Sequence, residues 1–153
     1  MRTMKKALVV LLVAMMVLSV TAVQAQAKSY KAGKVTAKQI VTQLKKTCLV
    51  KKVFRADSVM DPKTPNVYKS KYNFTDRKYN KVYCTVEVFR DNYDAARRQA
   101  YIDTLSYVYN LFDVEEDIPL QAYRYKNVLL RVGSQMPLNR CLKYYNAIKK
   151  MIK

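Results

Sequence analysis

The sequence predicts an α+β fold, with a four-stranded antiparallel sheet and three helices on one face in the order α-ββ-α-ββ-α. The clearest signal lies at residues 82–89, where apolar side chains recur at every second position, as in a strand with one face turned to a core. Residues 91–94 then supply capping side chains, and the apolar spacing becomes helical up to Tyr109. Two hairpin signals and three amphipathic helices complete the pattern, because such helices need an apolar sheet face to cover.

The first 27 residues have the layout of a secretory signal peptide. Arg2, Lys5 and Lys6 precede a nearly continuous apolar run over residues 7–23, and small residues follow it. An uncleaved membrane anchor is the alternative, but the run is near the lower length limit for a span. No twin arginine precedes it, and no cysteine ends it. We therefore expect Sec-type cleavage and a secreted or cell-envelope location.

Cleavage after residue 27 would leave 126 of the 153 residues, which is the size of one domain. Residues 28–35 form a basic lead-in that we expect to be flexible. Residues 36–153 are then a single α+β domain. Its first helix begins after the capping residue Thr36 and carries an apolar stripe that reaches Cys48. Residues 49–54 are rich in β-forming residues and are compatible with an additional short strand.

The next elements follow from local sequence signals. Pro62 and Pro65 mark a connecting loop, since neither suits a ladder or a helix interior. Residues 68–75 alternate aromatic with polar side chains and predict a strand. Residues 120–125 and 128–132 are two further β-rich runs joined at Lys126 and Asn127. Pro137 suits a first helical turn, and helical spacing continues to the end of the chain.

Positive charge is concentrated in two segments of the chain. Without the leader, 26 basic residues stand against 11 acidic ones, a net charge of about +15. Residues 28–56 hold nine basic residues and residues 118–153 hold eight, with no carboxylate in either segment. If the two segments meet in space, one side of the molecule attracts polyanions. The alternative is a basic, soluble surface with no dedicated partner.

Several segments together resemble a family of small secreted proteins and lipoproteins of Gram-positive bacteria that has no established function. The resemblance covers most of residues 40–150. The matching residues are Asp61-Pro62, residues 68–77, residues 86–89, Asp94-Ala95, Arg98, Tyr101-Ile102 and residues 125–132.

The chain departs from the family pattern at two points. Thr64-Pro65-Asn66 stands where the family usually has a Gly-Arg-Pro turn, and the lipid-attached cysteine of many members is missing. The resemblance implies an exported protein and assigns no activity.

Candidate catalytic and metal sites are few. The chain has no histidine, which removes the commonest general base and metal ligand. Glu87 lies within a predicted strand, and we interpret it as a cross-strand charge partner of Lys71 or Arg131 rather than as a catalytic group. The acidic run at residues 113–117 lacks the ligand spacing of a calcium loop. We therefore expect no enzyme activity, no metal and no cofactor.

Three cysteines allow one disulfide with one thiol left over, or three buried free thiols. If a pair forms, we expect it to join Cys48 to Cys141 and so connect the first helix with the last.

Tyrosines among lysines, as in residues 68–72, suit stacking and charge contact with an anionic partner. We expect Tyr101, Tyr125 and Tyr145 in the core, and surface binding at Tyr72, Tyr79 and Tyr83. The candidate binding residues are Lys69, Lys71, Tyr72, Arg77, Tyr79 and Arg131.

The sequence thus favours an exported, non-enzymatic protein with a basic face. The expected partner is an anionic wall polymer, an anionic lipid surface or an acidic protein, and no specific nucleic acid. A small inhibitor of a secreted hydrolase is the alternative, by analogy of form alone. A hydrolase working through paired carboxylates is the third and weakest hypothesis. The sequence leaves the oligomeric state open.

Overall fold

The computed structural model describes residues 29–47, 49–55, 68–111 and 121–153. The predicted signal peptide, Cys48, the two loop prolines and the acidic run at 113–117 lie outside these ranges. The described residues form an α+β fold with three helices and one antiparallel sheet.

The sheet has five strands rather than the predicted four. In chain order the elements are α1 (Ala37–Lys46), β1 (Val50–Arg55), β2 (Tyr68–Asp76), β3 (Tyr83–Phe89), α2 (Asn92–Leu111), β4 (Gln121–Tyr125), β5 (Val128–Val132) and α3 (Leu138–Met151). The strands lie in the order β1-β2-β3-β5-β4. The predicted order of elements along the chain is therefore wrong at one point. The β-rich run after α1 is a full edge strand that pairs with β2.

The helices cover both faces of the sheet, whereas the sequence predicted all three on one face. Cys84, Val86 and Val88 of β3 face the main core, together with the buried residues of α1 and α3. Glu87 and Phe89 point to the opposite face, where α2 packs. This second face needs a cover because it also carries buried apolar side chains of its own.

The main core lies between the sheet, α1 and α3. Its largest fully buried side chains include Tyr144, Phe74, Ile40 and Leu44. The smaller core beneath α2 consists of Phe89, Ala95 and Leu129, with Ala122 packed against it. The domain is thus a three-layer structure with the sheet in the middle.

The capping residue of α1 and the turn between β4 and β5 lie where the sequence predicts them. The backbone N–H of Gln39 donates to Thr36 Oγ1 at 3.3 Å, and the backbone N–H of Thr36 donates back to Gln39 Oε1 at 2.9 Å. This reciprocal capping box fixes the start of α1. A two-residue turn joins β4 to β5, with Lys126 in the left-handed region at φ 51°. The Asn127 side chain secures that turn by donating from Nδ2 to Phe89 O at 2.8 Å.

Candidate functional site

The two basic ends of the described chain are neighbours. The backbone N–H of Tyr30 donates to Met151 O at 2.6 Å, and that of Lys153 donates to Tyr30 O at 2.9 Å. Tyr30 and Ile152 form a parallel β-bridge. The lead-in, which the sequence suggested to be flexible, is thus tied to the end of α3 by backbone hydrogen bonds.

Helices α1 and α3 lie side by side on one sheet face, and neither contains an acidic residue. Their exposed lysines and those of the two terminal segments form what we call the basic face. Its residues are Lys31, Lys34, Lys38, Lys45, Lys46, Lys143, Lys149, Lys150 and Lys153. Since these side chains come from both ends of the sequence, the fold concentrates charge that the chain keeps apart.

The carboxylates of the described residues do not neutralise this face. Asp76 and Glu87 are fully buried and ion-paired within the protein. Asp91, Asp94 and Asp103 lie on or beside α2, on the opposite side of the sheet. Among the described residues, the exposed carboxylates therefore lie on the α2 side of the sheet, and none lies on α1 or α3.

A groove of about 380 Å³ lies on the basic face, between the end of α1 and the outer side of α3. Leu49, Ala147 and Met151 supply apolar lining, and Lys143 and Lys150 line it from α3. Lys143 and Lys150 are seven residues apart, which places them two turns apart on one side of the helix, at a spacing of about 10 Å. This arrangement suits an elongated ligand with negative groups along its length. The groove forms only when α1 and α3 pack together, so no pattern in the sequence predicts it.

The six predicted binding residues do not form one site. Lys71 and Arg131 lie on the sheet face that α2 covers, and both contact Glu87. Tyr72 and Tyr79 are half-buried and pack against the main core. Lys69 is exposed and donates from Nζ to Gly33 O at 2.9 Å, near the lead-in. Arg77 is exposed beyond the end of β2. Their role in binding stays a prediction.

Tyrosine burial differs from the expectation at several positions. Tyr101 is 36% exposed instead of buried, whereas Tyr125 and Tyr145 pack against the main core as predicted. Tyr83 is 51% exposed, as a surface position requires, and its part in binding stays a prediction. The sequence pointed to Tyr145 and missed Tyr144, which is the tyrosine that α3 buries completely.

Glu87 is fully buried and lies at the centre of a cluster of ion pairs. Arg131 Nη1 lies 2.9 Å from Glu87 Oε1, and Lys71 Nζ lies 3.7 Å from the same oxygen. Both predicted partners are therefore confirmed. Arg98 of α2 adds a third contact, with Nε at 3.4 Å from Oε2. The sequence feature that could have identified Arg98 as a buried partner of Glu87 is its position among the apolar residues of α2. These contacts join α2 to β2, β3 and β5 and account for the burial of the Glu87 carboxylate.

Asp76 is the second buried carboxylate and connects the end of β2 to α3. Its Oδ2 accepts from Arg140 Nε at 2.6 Å, and its Oδ1 accepts from the backbone N–H groups of Lys78 and Tyr79 at 2.6 and 3.0 Å. Burial alone would raise the pKa of Asp76, but hydrogen bonds from Arg140, Tyr144 and the backbone outweigh it and lower the pKa. Asp76 is thus held ionised as a structural anchor.

The described cysteines are buried and unreactive in character. Cys84 and Cys141 are free thiols, and burial raises the pKa of each. This agrees with the free-thiol alternative for these two residues. Cys48 lies outside the described residues, and Cys141, its predicted disulfide partner, is a free thiol in the structure. Burial, with Cys141 close by, also raises the pKa of Tyr123 to about 12.

Neither a metal centre nor a membrane span is found in the part of the chain that the structure describes. None of its clusters brings together three or more acidic or cysteine side chains that could hold a metal ion. None of its helices is long and apolar enough to cross a bilayer.

Comparison of the chain with protein-family models, with curated proteins and with solved structures finds no match. The resemblance to the Gram-positive secreted family therefore stays a prediction.

Proposed function

We propose that this chain is an exported, non-enzymatic binding protein of the cell envelope or medium whose basic face takes an anionic partner. The observation that carries the proposal is the pairing of Tyr30 with Ile152, beside two helices that contain no carboxylate. Lysines held close together without acidic neighbours create a positive potential that draws in polyanions.

The partner chemistry follows from the charge and from the predicted export. An anionic wall polymer, an anionic lipid surface or an acidic protein would each present several negative groups at once. The groove favours an elongated chain over a flat membrane, because it is concave and carries Lys143 and Lys150 along one helix. The wall polymer is therefore the first candidate.

Binding should be tested with the secreted form of the protein and three probes in parallel. The probes are purified cell walls rich in a phosphate polymer, vesicles of anionic phospholipid, and a strongly acidic protein. We expect the walls to bind best, with affinity falling steeply as salt rises, because salt screens contacts between exposed charges. Vesicles of neutral phospholipid and walls stripped of their anionic polymer are the controls.

Two outcomes would overturn the proposal. Binding to none of the three probes at low salt would leave the basic face without a partner. Tight, salt-insensitive binding to a secreted hydrolase would instead support the inhibitor hypothesis, because a well-packed protein interface depends less on charge.

A further inference from the structure

Helix α2 carries apolar side chains on two opposite sides. Ala95 and Ile102 face the sheet and are buried. On the other side, Tyr93 is 70% exposed, Tyr107 is 69% exposed and Leu111 is 63% exposed. Three large apolar side chains on one exposed helix face are unusual, since such a helix normally turns a polar face to water.

These exposed residues follow a regular spacing. The outer side of α2 carries Tyr93, Arg97, Ala100, Thr104, Tyr107 and Leu111, all exposed. Successive positions are separated alternately by four and three residues, which is the spacing of a coiled-coil seam. We call these six residues the outer seam.

The outer seam has the same spacing when the helix is reversed. In an antiparallel pair of α2 helices centred at Ile102, Tyr93 meets Leu111 of the other copy and Arg97 meets Tyr107. Ala100 then meets Thr104 at the centre, where two small side chains let the helix axes come close. Each contact would occur twice, as a two-fold interface requires.

We infer that the outer seam binds a second copy of this chain, as an antiparallel two-fold pair of α2 helices. Charge supports this occupant. The chain is strongly basic, but Asp91 and Asp103 accompany Arg90 and Arg97 on the α2 side. Two copies therefore meet with less like-charge repulsion there than on the lysine-only face of α1 and α3.

The pairing leaves both basic faces free, because α1 and α3 lie across the sheet from α2. A dimer would thus present two basic faces on opposite sides and could engage one polymer twice. The exposed apolar area is modest. A large aromatic side chain offers roughly 150–250 Å², so the seam falls short of the roughly 800 Å² per partner of a standard interface. We expect a weak dimer that forms in the micromolar range or above.

Sedimentation equilibrium over a wide concentration range tests this inference. The wild-type chain should shift from monomer to dimer mass as concentration rises. Thr104→Glu places a charge at the centre of the seam and should weaken dimerisation at least about tenfold. Thr42→Glu is the matched control, since Thr42 is an exposed helical residue on α1. It makes the same substitution on the other side of the sheet and should leave dimerisation unchanged.

Orientation is tested by cross-linking. An equal mixture of Ala100→Cys and Thr104→Cys chains should form a mixed disulfide-linked dimer faster than either variant alone, as the antiparallel register requires. Faster self-linking of Ala100→Cys alone would overturn the antiparallel arrangement. A wild-type chain that stays monomeric at high concentration, or a dimer equally weakened by Thr42→Glu, would overturn the inference. If Thr104→Glu does not fold by circular dichroism, Ala100→Glu replaces it.

Discussion

The phenolic oxygen of Tyr144 lies 2.5 Å from Oδ2 of Asp76 and 2.6 Å from the backbone carbonyl oxygen of Leu49. This one side chain of α3 therefore reaches both the end of β2 and the start of β1. Burial and the neighbouring Asp76 carboxylate raise the pKa of the Tyr144 hydroxyl, so it stays protonated and able to donate. The contact holds α3, and with it three of the nine lysines of the basic face, against the sheet.

Removing this hydroxyl should destabilise the fold. Tyr144→Phe keeps the ring but takes a donor from a buried carboxylate, and we expect a loss of about 1–3 kcal/mol in the free energy of unfolding. Urea denaturation followed by circular dichroism measures it. Tyr145→Phe is the control, because the Tyr145 hydroxyl donates to Arg124 O at 3.2 Å in an exposed setting. An equal loss for both variants would contradict the anchoring role of Tyr144.

The Asp76 carboxyl also predicts how stability depends on pH. Its pKa in the folded chain lies below the usual value of 3.8, so the unfolded chain binds this proton more readily. The stabilisation is fully present above pH 3.8 and is lost as the pH falls through the lower, folded pKa. Urea midpoints measured down through this range should fall more steeply for the wild type than for Asp76→Asn. An equally steep fall of the urea midpoint with pH in both proteins would refute the lowered pKa of Asp76 in the folded chain.

Breaking the Glu87 centre should be more costly. Glu87→Gln keeps the size of the side chain but leaves Lys71, Arg98 and Arg131 without this carboxylate, and removing one partner of a buried ion pair costs about 3–5 kcal/mol. Thermal unfolding at neutral pH should show the loss. Asp103→Asn removes an equal charge from the exposed side of α2 and should change stability by less than about 0.5 kcal/mol. A neutral effect of Glu87→Gln would show that the centre is dispensable.

The face on which α2 packs shows what sequence patterns leave open. The alternation in β3 predicted its core face correctly, but it left open whether Thr85, Glu87 and Phe89 on the other face are buried, as the structure shows them to be. A buried glutamate looks exposed in sequence until its cationic partners on other elements are known. Leu129, between Val128 and Leu130, was the available sign that β5 is buried on both faces.

The basic face was predictable in part. The two carboxylate-free segments are visible in sequence, and the expectation that they could meet agrees with the pairing of Tyr30 and Ile152. The individual site residues were not predictable, because Lys71 and Arg131 sit on the face opposite Tyr72. Successive side chains of a strand point to opposite faces of the sheet. The side chains of Lys71 and Tyr72 therefore lie on opposite sides of the sheet although the two residues are neighbours in sequence.

The buried thiols should resist modification in the folded state. Burial raises the pKa of both Cys84 and Cys141, so little thiolate forms near neutral pH. Under native conditions at pH 8, we expect an aromatic disulfide reagent to label both positions at least about a hundredfold more slowly than in urea. Peptide mapping by mass spectrometry assigns the sites. Rapid native labelling of Cys141 would contradict its burial.

We propose that the side of the molecule formed by α1 and α3 binds the anionic partner. The most direct measurement compares two single charge reversals by titration with the phosphate-rich wall polymer at low salt. Lys150→Glu lies in the groove of the basic face, and Arg90→Glu makes the same charge change at an exposed residue beside α2. A basic residue near an anionic surface contributes about 1 kcal/mol, so we predict that Lys150→Glu weakens binding roughly tenfold or more. Arg90→Glu should weaken it much less. Equal weakening by the two variants would show that net charge alone governs binding and would contradict a binding site on the α1 and α3 side.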